Sequence, residues 1–344
     1  MKSLSRVLFL SLITLLLVFT AACGTNHTDS SEPSQETITI YNGQHKDATT
    51  ALANAFEKQT GIKVVTRDGS SNELAHQIVE EGNRSPADII YTEESTPLIM
   101  LAEKGLLTKI NDQALKNIPA DYEDKDGKWL GLLGRSRVVV YNPKLIKESQ
   151  LPKSVLDFAK PEWKGKVGYV PTSGAFQQQI SAMIKLKGKS AAKAWLEGLK
   201  KYGVKYKKNT VALEAVERGE VATALINNYY WDRQAKEKGA NHMHSKLYFF
   251  GNQDLGDMVT VSGAGILKSS KHQAAAQKFL TFASSEKGQQ ILTDMSSQYP
   301  LNSKTKTHGL KPFSELNPPE GTLYLGQLGD GKAANELLEE VGLL

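Results

Sequence analysis

Strand-like and helix-like patterns alternate along this chain, and that alternation restricts the folds open to it. Three short apolar runs, at residues 38–41, 62–66 and 87–91, are separated by two amphipathic helical patterns. The second helical pattern opens with a capping box, Ser70-x-x-Glu73. Strands separated by helices usually pair in parallel as βαβ units. The pattern therefore predicts a βαβαβ unit and an α/β fold.

The same patterns continue through the rest of the chain. Further strand-like segments lie at residues 138–141, 166–170, 221–226 and 258–261, with helical patterns between them. About 300 residues remain once the N-terminal segment is set aside, which is more than one hydrophobic core usually covers. We therefore expect two α/β domains.

The first 36 residues differ in character from the rest. A basic start is followed by an apolar run at residues 7–19, which is too short to span a membrane comfortably, and then by small residues and the only cysteine, Cys23. This layout resembles a bacterial lipoprotein signal. It predicts a signal peptide over residues 1–22, a lipid on Cys23 and a flexible tether over residues 23–36. An ordinary cleaved signal is the alternative, because Thr20 replaces the usual leucine.

These features predict a protein that is extracytoplasmic and lipid-anchored to the cell membrane. A single cysteine excludes an internal disulfide. The formal net charge is +5, and losing Lys2 and Arg6 with the signal leaves +3. Because nucleic-acid-binding proteins usually carry a strong basic excess, we expect no nucleic-acid partner. We expect contact with the membrane through the lipid anchor only.

Polar side chains follow four of the predicted strands at the point where each strand ends. Open α/β sheets bind ligands just beyond the carboxyl ends of their strands, so these side chains are candidates for a site. They are an imidazole, two carboxylates, a small-residue turn that opens a helix and two phenols: His45; Glu93 and Glu94; Ser173, Gly174 and Ala175; Tyr229 and Tyr230.

These groups suit a small, hard, trivalent cation such as Fe(III), which prefers anionic oxygen ligands. A bound cation can hold tyrosine as phenolate, although its ordinary pKa is about 10. Two phenolates and one carboxylate balance three positive charges, and His45 can occupy a further position. The turn at Ser173 offers backbone N–H groups to an anion such as phosphate or carbonate. Arg135, Asn209 and Asn227 can complete the hydrogen bonding of that anion.

Five segments carry a more specific signal. They read YNGQHK at 41–46, RSPAD at 84–88, GRSRVVVY at 134–141, GYVPTSGAF at 168–176 and INNYYW at 226–231. In this order they resemble, nearly residue for residue, the ferric ion-binding proteins of bacterial iron importers, a branch of the type II periplasmic solute-binding proteins. The resemblance covers almost all of the chain that follows the predicted signal.

The resemblance implies a two-lobed type II periplasmic-binding-protein fold with hinge strands between the lobes. We expect an N-terminal lobe of residues 37–136 plus 260–310 and a C-terminal lobe of residues 137–259 plus 311–344. The lobes are predicted to be joined by paired crossover strands near 137–141 and 258–261 and to hinge shut over the ion.

The resemblance also implies a function and its residues. The protein would carry Fe(III) as its transported ligand to an ABC permease with its own ATPase, as a monomer and without catalysis. The implied iron ligands are His45, Glu93, Tyr229 and Tyr230. The implied synergistic anion is held by Ser173, Gly174, Ala175, Arg135, Asn209 and Asn227.

One position departs from the family. The members that this chain most resembles carry a neutral glutamine after the ligand acid, whereas here Glu94 follows Glu93. A second carboxylate that pointed into the anion pocket would repel phosphate. The identity of the anion, phosphate or carbonate, is therefore left open.

Two other functions are compatible with the same residues. One is a solute-binding protein of the same fold for an organic or oxyanion ligand. The other is a lipid-anchored hydrolase that uses Glu93 and Glu94 as an acid and base pair. The sequence contains no Gly-x-Ser-x-Gly elbow, no His-Glu-x-x-His and no Walker A loop, so the hydrolase lacks the usual motifs.

Overall fold

A mixed β-sheet with helices connecting its strands forms the centre of the computed structural model, which describes residues 35–307, 309–320 and 328–344. The predicted signal peptide, Cys23 and most of the predicted tether lie outside the described residues. Within those ranges, we find no helix that combines the length and the apolar character needed to cross a membrane.

The predicted βαβαβ unit opens the fold. Its elements are β1 (Thr37–Asn42), α1 (Lys46–Thr60), β2 (Lys63–Asp68), α2 (Ser71–Glu81) and β3 (Ile89–Thr92). Strand β1 pairs in parallel with both β2 and β3. The capping box is also present, because the backbone N–H of Glu73 donates to Oγ of Ser70 at 3.3 Å. Both predictions are confirmed.

The remaining elements continue the alternation of strands and helices. They are α3 (Ser95–Glu103), β4 (Leu107–Thr108), α4 (Asp112–Leu115), β5 (Trp129–Tyr141), β6 (Val167–Tyr169), α5 (Gly174–Lys187), α6 (Lys189–Tyr202), β7 (Val204–Lys205), α7 (Asn209–Glu217), β8 (Thr223–Asn227), α8 (Asn228–Lys238), β9 (Lys246–Tyr248), β10 (Val259–Leu267), α9 (Gln273–Ser284), α10 (Glu286–Ser296), β11 (Tyr299–Pro300) and α11 (Lys332–Val341). Short 3-10 turns cover Gly82–Arg84, Ala120–Tyr122, Glu148–Gln150, Val155–Ala159, Pro161–Trp163, Ala240–His242, Leu255–Asp257 and Phe313–Glu315.

The long strand β5 belongs to two parts of the sheet. The strand order is β2-β1-β3-β10-β5-β8-β6-β7, with β4 beside β10 and with β9 and β11 beside β5. Residues 129–136 of β5 pair with β10, and residues 137–141 pair with β8. We call the group of strands β1, β2, β3, β4, β10 and β11 the first sheet part, and the group β6, β7, β8 and β9 the second sheet part. Strand β5 runs through both. The α/β fold with a strand running between two parts confirms the predicted fold class.

The pairing of the two long strands differs in detail from the sequence-based expectation. Residues 258–261 were expected beside 137–141, but Val259 and Val261 lie opposite Ser136 and Gly134. The reason is that residues 137–141 already pair with β8 on one side, and residues 139–141 already pair with β9 on the other. A single backbone bond, from the Arg137 N–H to the Met258 carbonyl at 2.8 Å, continues the contact.

Aromatic side chains fill the core on each side. Phe56 of α1 meets Phe279 of α9 edge to face, with ring centroids 5.1 Å apart. Phe176 of α5 stacks on Trp195 of α6 at 5.8 Å. Because such pairs bury large apolar areas, they fix the helices against the sheet parts that carry the site.

Candidate metal and anion site

A cleft of about 590 Å³ opens where several strands end. Every predicted site residue except His45 contributes to its wall, and so does Glu94. The predicted residues that line it are Glu93, Arg135, Ser173, Gly174, Ala175, Asn209, Asn227, Tyr229 and Tyr230. His45 lies beside it, in a neighbouring depression that it shares with Tyr229 and Tyr230. The fold therefore brings together, at the strand ends, side chains that are far apart in sequence, as the strand-end rule predicts.

His45 and Glu93 face each other across the ends of β1 and β3. An Asx-type turn follows β1, in which the Gln44 N–H donates to Oδ1 of Asn42 at 3.1 Å, and this turn places His45 directly before α1. Nε2 of His45 lies 3.2 Å from Oε1 of Glu93. This distance is within ion-pair range, but the contact lacks hydrogen-bond geometry, so the buried nitrogen has no hydrogen-bond partner.

The two tyrosines stand in the first turn of α8. Their ring centroids are 4.1 Å apart, and the Tyr229 ring meets the His45 imidazole edge on at 5.2 Å. The Tyr230 hydroxyl accepts a hydrogen bond from Nδ2 of Asn209 at 3.3 Å. An imidazole, a carboxylate and two phenols from three strand ends thus form one group.

Burial determines the protonation of these side chains. It raises the pKa of Tyr229 well above its ordinary value, and the charge of Glu93 raises it further. Burial and then Glu93 also raise the pKa of Tyr230. Burial lowers the pKa of His45, although Glu93 opposes that shift. Without a cation both phenols are protonated and the imidazole is neutral, so formation of phenolate at neutral pH needs a strongly charged ion.

Phenol oxygens are necessary for a metal in this cleft. Among the described residues there is no group of three or more His, Cys, Asp or Glu side chains that could hold a metal ion. His45 and Glu93 would supply two ligands, and Tyr229 and Tyr230 would add two hard oxygen atoms. Hard anionic oxygen is the donor type that suits Fe(III).

The predicted anion turn begins α5. Ser173 precedes the helix, and Gly174 and Ala175 are its first residues. Nδ2 of Asn209, the first residue of α7, donates to Oγ of Ser173 at 3.2 Å. Asn227 ends β8 beside the same turn.

Glu94 points into this turn. Its carboxylate Oε1 lies 3.4 Å from Nη2 of the buried Arg135, and its side chain is 13% exposed. A Cβ placed on Gly174 would lie only 2.5 Å from Oε1 of Glu94, so the carboxylate rests against the start of α5. Burial raises the pKa of Glu94 to about 7, Glu93 adds to the rise and Arg135 opposes it. An ionised Glu94 in this position would repel a separate anion at the turn.

Two residues that hold the site together were not identified from the sequence. Arg137 is buried and donates to Asn227 Oδ1 at 2.9 Å and to the Leu225 carbonyl at 3.1 Å. Its spacing of two from Arg135 places both side chains on one face of a strand, which is a signal that the sequence does contain. Oγ of Ser71 accepts from the Glu93 N–H at 2.9 Å, and no local pattern indicates that contact.

Comparison with known proteins agrees with this geometry. A family model described as bacterial extracellular solute-binding protein matches residues 42–290. The chain is 46% identical over 320 residues to the major ferric iron-binding protein of Neisseria meningitidis serogroup B, covering 91% of this chain and 95% of that protein. It is 38% identical over 309 residues to the Fe(3+)-binding periplasmic protein of Serratia marcescens, covering 89% and 90%.

Solved structures are similar as well. Iron-bound HitA from Pseudomonas aeruginosa superposes with a TM-score of 0.86 at 50% identity, covering 90% of this chain and 100% of that one. The ferric binding protein from Campylobacter jejuni superposes with a TM-score of 0.81 at 28% identity, covering 89% and 99%. The predicted resemblance is confirmed, and the chain belongs to the bacterial extracellular solute-binding protein family.

Proposed function

We propose that this chain binds ferric iron outside the cytoplasm and delivers it to an ABC-type importer. The observation that carries the proposal is the convergence of His45, Glu93, Tyr229 and Tyr230 beside one cleft. Relatives at up to 46% identity over nearly the whole chain are named as ferric iron-binding proteins, which supports the same cargo here.

All four side chains would coordinate the iron. Tyr229 and Tyr230 bind as phenolates and Glu93 as carboxylate, which together match the three charges of the ion. His45 binds as neutral imidazole through Nε2, the atom that has no hydrogen-bond partner. Iron binding releases the two phenolic protons, so the ion is held by groups that become anionic only in its presence.

If two lobes close over the ion, iron binding is coupled to a change in the conformation of the protein. We place residues 37–136 plus 260–310 in one lobe and residues 137–259 plus 311–344 in the other. The change of partner of β5 between Ser136 and Arg137 supports this division. So does the packing of α11 against α5 and α6, where Lys193 pairs with Glu340 at 2.6 Å. His45 and Glu93 then belong to one lobe and the tyrosines to the other.

Delivery requires a partner and a location. The importer would be an ABC permease with its own ATPase. We propose that residues 1–22 are removed, that Cys23 is lipidated and that residues 23–36 tether a monomeric binding protein to the cell membrane. In this role the cleft binds and releases its cargo and catalyses no reaction.

Visible spectroscopy tests the iron site directly. Ferric salt added to the iron-free protein is expected to produce a phenolate-to-iron absorption band and one bound iron per chain. Tyr229→Phe and Tyr230→Phe should weaken binding by at least roughly 100-fold and remove or shift the band. Tyr202→Phe, the same change outside the cleft, should leave both intact.

The same titration separates the alternative functions. The absence of both band and bound iron in the unmodified protein would rule out the iron site and favour an organic or oxyanion ligand. Turnover of a substrate that survives both tyrosine changes would favour a hydrolase that uses Glu93 and Glu94.

A further inference from the structure

We infer that the Glu94 carboxylate takes the place of the external anion at the start of α5, so that this protein binds iron without phosphate or carbonate. The inference rests on the proposed iron-binding function and concerns which ligands accompany the metal. It makes Glu94 a residue that determines specificity at the cleft.

The position of Glu94 supports this role. Glu94 immediately precedes α3, and its side chain crosses to the first residue of α5. The contact with Gly174 is so close that a Cβ there would lie 2.5 Å from Oε1. The first N–H groups of a helix have no partner within that helix, and the positive end of the helix dipole lies there. The carboxylate therefore lies beside the helix start that an external oxyanion would use.

The buried Arg135 provides a second, independent argument. Its side chain is 1% exposed, so a negative partner inside the protein stabilises its guanidinium. Nη2 of Arg135 lies 3.4 Å from Oε1 of Glu94, which supplies that partner from within the chain. When Glu94 is ionised, it and Arg135 together carry no net charge.

The charge balance of the whole cleft leads to the same conclusion. Two phenolates and Glu93 neutralise Fe(III), and the ionised form of Glu94 neutralises Arg135. An added phosphate would leave excess negative charge beside two carboxylates, and like charges held in contact weaken binding strongly. Only a neutral coligand such as water is then needed to complete the metal shell.

Two unpaired polar atoms agree with a neutral coligand. Nη1 of Arg135 and Oδ1 of Asn209 are buried without a hydrogen-bond partner. The first is a donor and the second is an acceptor. Water can satisfy both, because it can accept from Nη1 of Arg135 and donate to Oδ1 of Asn209.

Glu94→Gln tests the inference because it removes the charge and keeps the shape. In the iron-free protein, calorimetric titration with inorganic phosphate should detect binding to Glu94→Gln that is at least about tenfold tighter than binding to the unmodified protein. Glu80→Gln, the same change at an exposed position on α2, is the matched control and should behave like the unmodified protein. Thermal unfolding of each variant confirms that it is folded.

Iron loading provides the second measurement. Ferric perchlorate is added in buffer free of phosphate and bicarbonate, and the affinity is measured again after either anion is supplied. The unmodified protein should change by less than about twofold, and Glu94→Gln should gain at least about tenfold with one of the anions. An unmodified protein that needs an anion as much as Glu94→Gln does, or that binds phosphate equally well without iron, would overturn the inference.

The two proposals fail in different ways. If no iron binds in any buffer, the proposed function is wrong, and the phosphate titration of the iron-free protein still decides the role of Glu94. If iron binds but requires phosphate or bicarbonate in the unmodified protein, only the inference about Glu94 is wrong.

Discussion

Arg233 on α8 donates from Nη2 to Oδ2 of Asp47 on α1 at 3.1 Å. Helix α1 follows directly after His45, and α8 carries both tyrosines. The ion pair therefore links the two elements that would hold opposite sides of the metal. Because α1 and α8 belong to different proposed lobes, this contact would help to keep the cleft closed.

Removing this ion pair should have only a small effect on iron affinity. Both side chains are partly exposed, and exposed ion pairs contribute about 0.2–1 kcal/mol. Arg233→Ala is expected to weaken iron binding by at most about fivefold, mainly through faster release. Stopped-flow measurement of iron transfer to a chelator checks this, with Arg218→Ala on the exposed end of α7 as control. A loss of iron affinity of more than about 100-fold would mean that Arg233 contributes directly to metal binding.

The two proposed ligands that follow β1 and β3, His45 and Glu93, should contribute unequally to iron affinity. Glu93→Gln removes one of the three negative charges that match the ion, whereas His45→Gln removes a neutral ligand. We therefore expect Glu93→Gln to weaken Fe(III) binding more than His45→Gln does, by about tenfold or more, because charged donors dominate binding of a hard trivalent ion. Competition with a chelator measures both constants. The opposite order would show that the imidazole is the dominant donor.

Acid should release the iron. Burial keeps the pKa of Tyr229 and Tyr230 above their ordinary value, so both oxygens take up protons as soon as the metal leaves. Lower pH therefore favours the iron-free form, and retention should decline as pH falls toward about 4, the ordinary range of carboxylate pKa values. Equilibrium dialysis at stepped pH gives the profile. Full retention down to about pH 4 would be inconsistent with these ligands.

Arg137 should contribute to stability rather than to metal binding directly. Burial lowers its pKa to about 10, so it remains charged at neutral pH, and it donates to Asn227 and Leu225. Arg137→Met leaves those acceptors without a donor and should lower the free energy of unfolding by about 2–4 kcal/mol. Urea unfolding measures the change. Arg218→Met, at an exposed position, should have almost no effect, and equal losses in both variants would contradict this role of Arg137.

The sequence predicted the elements around the site better than it predicted the length of β5. The run at 138–141 was recognised because it is purely apolar and β-branched, whereas residues 129–136 contain glycines and Arg135, which weaken a strand pattern. Tertiary packing explains the glycine at 131. A Cβ on Gly131 would lie 2.6 Å from the Val261 side chain and 2.7 Å from the Tyr122 carbonyl, so that close approach requires glycine.

Residues at strand ends could be predicted because topology brings them to one edge of the sheet. His45, Glu93 and the tyrosines were found in this way. The pairing of Glu94 with Arg135 could not be, since the two are 41 residues apart and Arg135 lies in the part of β5 that was not recognised as a strand. Sequence showed only that Glu94 departs from its relatives.

Locating the iron in crystals of the loaded protein tests the central claim most directly. Diffraction data collected on both sides of the iron absorption edge should give one anomalous peak, bonded to His45, Glu93, Tyr229 and Tyr230. A peak at another position, or no peak in a protein that metal analysis shows to contain iron, would contradict the proposed site.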